Sequence, residues 1–134
     1  MNLGSGAQLL RPDVRPGPAA DPVVHCYADA EEGWYAMAAL QNAGTAWSWV
    51  QQVLGLDWAA LAGSLAGSPP GAGGVVFAPF LTGERGGVAG PDARGSWTGL
   101  SADTTRADLA RSALEGVACS VAAAVSGLSI SSFF

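Results

Sequence analysis

Apolar positions in the first third of the chain fall in short runs, broken by turn residues, as strands require. Asn2-Leu3 reads as the end of a strand that enters the turn Gly4-Ser5-Gly6, and Ala7 to Leu10 reads as its return strand. Two glycines in that turn are available for positive φ or for close backbone approach. Arg11 to Asp21, rich in Pro, Gly and Ala, predicts a surface loop. Val23 to Tyr27 and Trp34 to Leu40 predict two more strands around an acidic turn from Asp29 to Gly33.

The period then lengthens. Ala46, Trp47, Val50, Val53 and Leu54 recur at helical spacing from Gly44, with Gly55 as a C-cap. Asp57 can cap a second, short helix through Trp58, Leu61 and Leu65. Gly67 to Gly74 predicts a loop, Val75 to Phe77 a short apolar strand, and Ser96 to Leu100 a strand or turn, with irregular chain from Ala78 to Pro91. A long helix follows. Thr105 and Asp108 form a capping-box pattern at its start. Leu109, Ala113, Val117, Val121 and Val125 lie four apart, with Leu114, Ala118 and Ala124 widening the stripe. Arg106, Arg111 and Glu115 are expected on the opposite side, and Gly127 is a natural stop. Strands first and helices after fit an α/β layer on a partly antiparallel sheet.

Composition narrows the function. Only 13% of residues are charged and 49% are hydrophobic, with 19 glycines and arginine in place of any lysine. That charge is about half the usual share, which points to a surface partly made to be covered by more protein, the competing reading being a Gly/Ala-rich bias of the source genome. A net charge of −5, with its arginines scattered, excludes a nucleic-acid or anionic-membrane surface. The start has neither the basic nor the apolar region of a signal peptide. The apolar stretch from Gly116 to Ile130 is shorter than the ~20 residues that span a bilayer, so a buried helix is expected. Cys26 and Cys119 read as buried small hydrophobes in a reducing, cytoplasmic compartment. His25 reads as a strand residue, and no metal-ligand spacing occurs.

Three segments can carry chemistry. At Gly4-Ser5-Gly6, bare backbone N–H groups and one hydroxyl can approach phosphate oxygens. Asn42-Ala43-Gly44-Thr45-Ala46-Trp47-Ser48-Trp49 opens a helix with a glycine, and a helix N-terminus favours anions, although taken alone a plain helix start with two core tryptophans is the better explanation. Glu84-Arg85 can touch a ligand, lock a loop by a charged hydrogen bond, or stay solvated.

Taken in order with Gly95 to Glu115 (GSWTGLSADTTRADLARSALE), these segments resemble the FGGY carbohydrate kinases. A Gly-x-aromatic-x-Gly-Leu turn before a capped helix with Asp-Leu-x-x-Ser-Ala-Leu-Glu is similar to that family's second signature. Gly4-Ser5-Gly6 resembles its Gly-Thr-Gly phosphate hairpin, with Ser keeping the hydroxyl. Phe77 to Arg85 resembles its Leu-Pro-Tyr-Leu-x-Gly-Glu-Arg segment, with Gly86-Gly87 in place of the usual Thr-Pro. Pro91 to Gly95 matches its Asp-Pro-x-Ala-Arg-Gly lead-in only in part.

The resemblance covers Asn2 to about Ser126 and is strongest toward xylulokinases. It implies part of a C-terminal ribonuclease-H-like, actin-like ATPase domain, an α/β fold with helices packed on a mixed sheet, over residues 1–134. It also implies ATP and Mg2+ as cofactors, a sugar such as xylulose as partner, and nucleotide contacts at Gly4, Ser5, Gly6, Gly44 and Ser48. No catalytic residue is assigned. The family's base, an aspartate ahead of the hairpin, and its later Gly-Gly-Gly segment and N-terminal sugar-binding domain have no counterpart in this sequence. The expectation is therefore a kinase fragment without activity of its own and with sheet edges open to self-association. The alternatives are a non-catalytic nucleotide-binding or interaction module and an inactive remnant.

Overall fold

A computed structural model describes residues 1–16, 24–85 and 88–130. The later part of the proline-rich loop, Val23, Gly86-Gly87 and the last four residues lie outside the described residues. Four strands form one sheet in the order β1 (Asn2–Leu3), β2 (Ala7–Arg11), β4 (Trp34–Leu40), β3 (Val24–Ala28). All three pairings are antiparallel, with Leu9 opposite Ala38 and Val24 opposite Ala38 on its other side. A second, two-stranded antiparallel sheet joins β5 (Val76–Ala78) to β6 (Ser96–Thr98). Among the described residues, parallel pairing is confined to an isolated bridge between Leu81 and Gly83.

The helices are α1 (Gly44–Leu54), α2 (Trp58–Gly67) and α3 (Arg106–Ile130). Alternation sends Ala7, Leu9, Val24, Ala36, Ala38 and Leu40 to one face of the main sheet. That face meets α3, which also crosses α1, α2 and β5. Small residues let these layers close tightly. A Cβ on Gly116 would stand 2.2 Å from the Phe77 carbonyl oxygen, so only glycine fits where α3 crosses β5.

The predicted caps form. Asp57 Oδ1 accepts from the Ala60 N–H at 2.7 Å, and Gly55 ends α1 in the left-handed region. Thr105 and Asp108 satisfy each other's backbone N–H groups at 2.8 and 3.2 Å.

Several expectations change. Among the described residues, the buried positions of α3 are Ala110, Ser112, Ala113, Val117, Ser120, Ala124 and Leu128 rather than a strict four-residue repeat. A step of four turns the helix by about 400°, so a repeat of fours drifts about 40° per step. By Val125 the drift has reached solvent, and that side chain is 44% exposed. Gly127 does not end α3, which runs on to Ile130. Gly67 is the last residue of α2, and Ala72–Gly74 is a short 3-10 turn within the predicted loop. Cys119 is exposed and Cys26 half-buried, because neither falls on the buried stripe or at the sheet centre.

Arg111 and Glu115 do not face away from the core. The Arg111 guanidinium donates to the Leu65 and Ser68 carbonyls at 2.8 and 2.7 Å, closing the C-terminus of α2. It also pairs with Glu115 at 2.6 Å, and Glu115 accepts from the Gly71 N–H at 3.2 Å. Arg106 donates to the Leu54 and Gly55 carbonyls at the end of α1. Arg11 donates to the Leu128 carbonyl of α3 at 3.1 Å. Each helix thus ends on an arginine, the favourable sign for a C-terminus.

Arg106–Leu128 is 23 residues long and, by length and composition, apolar enough to cross a membrane. It is longer than the apolar stretch alone suggests because the cap and its arginines extend the helix. These polar groups bond to neighbouring elements, and one side of the helix packs on the sheet, as in the core helix of a folded domain.

Candidate functional site

The turn between β1 and β2 lies on the N-terminus of α1. Ala43, the N-cap, offers no capping side chain. The turn carbonyls take that role: Gly44 N–H donates to Gly4 O at 3.0 Å, while Ala43 and Thr45 N–H donate to Ser5 O at 3.1 and 3.0 Å. The next two N–H groups, of Ala46 and Trp47, donate to Ala43 O. These five backbone donors at the helix start are occupied by protein. The direct anion role expected of the helix start is therefore corrected, because its N–H groups hold the turn instead.

Close approach makes this junction possible. A Cβ on Gly44 would lie 2.5 Å from Gly4 O, and one on Gly6 would lie 2.3 Å from Leu40 O. Neither Gly4 nor Gly6 has positive φ. Of the two roles glycine can play there, close approach is the one used. At Gly4 an added Cβ would meet nothing within 4 Å, so the turn is open on that side. The Ser5 N–H, the Ser5 hydroxyl and the Gly6 N–H have no acceptor among the described residues.

Gly4, Ser5, Gly44 and Ser48 line one cavity of about 440 Å³, together with Leu3, Thr45, Trp47 and Trp58. Gly44 and Ser48 share that wall because they are one helical turn apart. Gly6 is the exception. It faces a second cavity, of about 280 Å³, with Gln8, Gln41, Thr82 and Arg85. Thr45 lines both cavities, and the turn forms the ridge between them. Reading by motif passes over Thr45 and Trp58; the helical spacing of Thr45 beside Gly44 and Ser48 is the signal for the first.

Beneath the junction sits a polar lock. Asn42 is 1% exposed and Glu84 2% exposed. Glu84 Oε1 accepts from the Gln41 and Arg85 N–H groups at 2.8 and 2.9 Å. Its Oε2 accepts from Asn42 N–H at 3.4 Å and Asn42 Nδ2 at 3.3 Å. Asn42 Nδ2 also donates to Gly83 O at 2.6 Å, and Asn42 Oδ1 accepts from the Thr82 N–H and hydroxyl. Of the three readings open for Glu84, the loop lock is the one realised. Arg85 remains exposed at the rim of the second cavity. The tryptophans divide: Trp47 anchors its indole N–H on Ala113 O at 3.1 Å, whereas Trp49 is partly exposed beside Phe77 and Trp97.

Residues 2–132 match the model of the C-terminal domain of the FGGY family of carbohydrate kinases. The chain is 28% identical over 123 residues to a xylulose kinase of Staphylococcus epidermidis, covering 90% of this chain and 25% of that protein. It is 48% identical over 79 residues to a glycerol kinase of Thermus brockianus, covering 59% of this chain and 16% of that protein. The crystal structure of xylulose kinase from Bifidobacterium adolescentis superposes with a TM-score of 0.85 at 28% identity, over 96% of this chain and 25% of that one. The chain thus spans about a quarter of the length of the xylulose kinases it matches.

Proposed function

The chain belongs to the FGGY family of carbohydrate kinases, and on that premise we propose that it holds the phosphates of ATP at the Gly4–Ser5–Gly6 turn. The observation that carries this reading is the gathering of Gly4, Ser5, Gly44 and Ser48 on one cavity wall. Three donors at the turn without internal acceptors match the oxygen-rich surface of a polyphosphate. The open space beside Gly4 admits such a group without a side chain in the way. Phosphoryl transfer depends mainly on positioning and charge stabilisation, and a fixed turn supplies positioning.

The acceptor we favour is xylulose or a related sugar. Its support is coverage, since the xylulose kinase match spans 90% of this chain while the glycerol kinase match, though higher in identity, spans 59%. Among the described residues, no carboxylate, histidine or lysine lines the cavity that holds the turn. A general base must lie within hydrogen-bond reach of the acceptor hydroxyl. Among the described residues this wall offers no such group, and the reading we favour is a chain that binds and orients a nucleotide without transferring its phosphate. That same wall favours the second reading, a nucleotide-binding module without catalysis. Among the described residues no three His, Cys, Asp or Glu side chains gather. Mg2+ would accompany the nucleotide's phosphates, as phosphoryl transfer generally requires. Two free cysteines, Cys26 in a strand and Cys119 on a helix, fit a reducing cytoplasmic setting.

Calorimetric titration with ATP, beside an ADP-release assay with xylulose and with glycerol, tests the proposal. Saturable ATP binding without turnover is expected. Turnover at ~1 s⁻¹ or above would overturn the non-catalytic reading, and absence of any ATP binding would overturn the nucleotide reading.

A further inference from the structure

We infer that Trp58 is the stacking platform for the nucleotide base, and that the site therefore accepts ATP and GTP alike. The inference rests on the nucleotide reading of the cavity and deepens it. Trp58 is the first residue of α2, set in place by the Asp57 cap. Its side chain is 54% exposed, on the wall shared with Gly4, Ser5, Gly44 and Ser48. Tryptophan is among the most costly side chains to leave in water and is usually well buried. Here one edge-to-face contact, to Trp47 at 6.3 Å and 89°, supports the ring. Trp47 is itself fixed through its indole N–H to Ala113 O. The pair is thus a braced aromatic surface with an open side, standing on the same cavity as the phosphate turn.

The rest of the wall explains the lack of base selection. Among the described residues its polar side-chain groups are the hydroxyls of Ser5, Thr45 and Ser48 and the tryptophan indole N–H groups, with no amide or charged group. Telling adenine from guanine by side chain requires donors and acceptors matched to the base edge, such as the paired groups of Asn, Gln or Arg. Stacking needs none of these, since every base presents a π-face.

Calorimetric titration of the chain with ATP, GTP and inorganic tripolyphosphate tests this, using wild type, Trp58→Gln and Trp58→Phe. Wild type is expected to bind ATP and GTP with affinities within about threefold of each other. Trp58→Gln weakens both by about tenfold and leaves tripolyphosphate unchanged, while Trp58→Phe keeps most of the affinity. Unchanged ATP binding by Trp58→Gln overturns the inference and leaves the nucleotide site standing. A strong preference of wild type for ATP over GTP also overturns it. Equal loss of ATP, GTP and tripolyphosphate in Trp58→Gln overturns it by showing a structural role. Failure of wild type to bind all three overturns the nucleotide reading itself.

Discussion

Gly44 rests directly on Gly4: its N–H donates to the Gly4 carbonyl at 3.0 Å, and a methyl group at its Cα would stand 2.5 Å from that same oxygen. The obstacle is backbone, so no rotamer change can relieve it. Gly44→Ala is expected to part the turn from α1, lower stability by about 1–3 kcal/mol, and weaken nucleotide binding with it. Urea unfolding and ATP titration of the variant measure the two effects.

Ser5 is exposed and bonds to the structure through its backbone carbonyl rather than its hydroxyl. Ser5→Ala should therefore unfold at the wild-type urea midpoint. If the hydroxyl meets a phosphate, ATP affinity falls by about tenfold, the scale of one hydrogen bond to a charged group. An unchanged affinity would remove the hydroxyl from the proposed site.

Glu84 receives two N–H donors on each carboxylate oxygen. Glu84→Gln keeps the shape but sets an NH2 group against two donors, whichever way the amide is turned. A loss of about 1–3 kcal/mol is expected, with loop residues 81–85 released first. Hydrogen exchange at the Gln41 and Arg85 amides, compared with wild type, reads this locally.

Asp108 is held below the usual carboxylate range, chiefly by the Ser68 hydroxyl at 2.5 Å and then by the Thr105 side chain and backbone. A depressed carboxyl adds stability above its unfolded value and loses it as pH falls through the folded one. Asp108→Asn should thus be less stable than wild type at pH 7. The gap should close from about pH 4 downward. Urea midpoints at pH 7, 4 and 3 follow that closure, and Ser68→Ala should return the Asp108 titration toward the ordinary range by NMR.

β3 ends the main sheet, and its outward side chains include the exposed Tyr27, stacked on Tyr35 at 5.6 Å. An open edge beside aromatic surface invites pairing with another copy. Light scattering should show self-association that rises with concentration, and Tyr27→Lys should reduce it. A monodisperse wild-type monomer at high concentration would end this expectation.

Much of the layout was readable because local signals acted alone. Trp34–Leu40, the Asp57 cap, Gly55 and the Thr105–Asp108 box each announce themselves within a few residues. The five residues proposed to meet phosphate were chosen through the order of motifs, and four of them share one cavity wall. What escaped was set by partners distant in sequence. Nothing near Arg106 or Arg111 says that each ends another helix, since their acceptors lie 51 to 52 and 43 to 46 positions away. Trp58 escaped for the same reason: its place beside the turn depends on how α2 folds back on α1. Ala43 made a poor cap by propensity, and only the fold supplies the carbonyls that replace one.

The seam between the turn and α1 also has an electrical side. A trans peptide points its N–H opposite its carbonyl. The Gly4 carbonyl belongs to the same peptide plane as the Ser5 N–H, and the Ser5 carbonyl to that of Gly6. Each accepts from the positive end of α1, and a hydrogen-bonded amide is polarised by its partner. The field that α1 cannot present to an anion through its own N–H groups is handed across two peptide planes to the unoccupied N–H groups of Ser5 and Gly6. The turn in this way becomes the tip of the helix, one step further out than the helix ends.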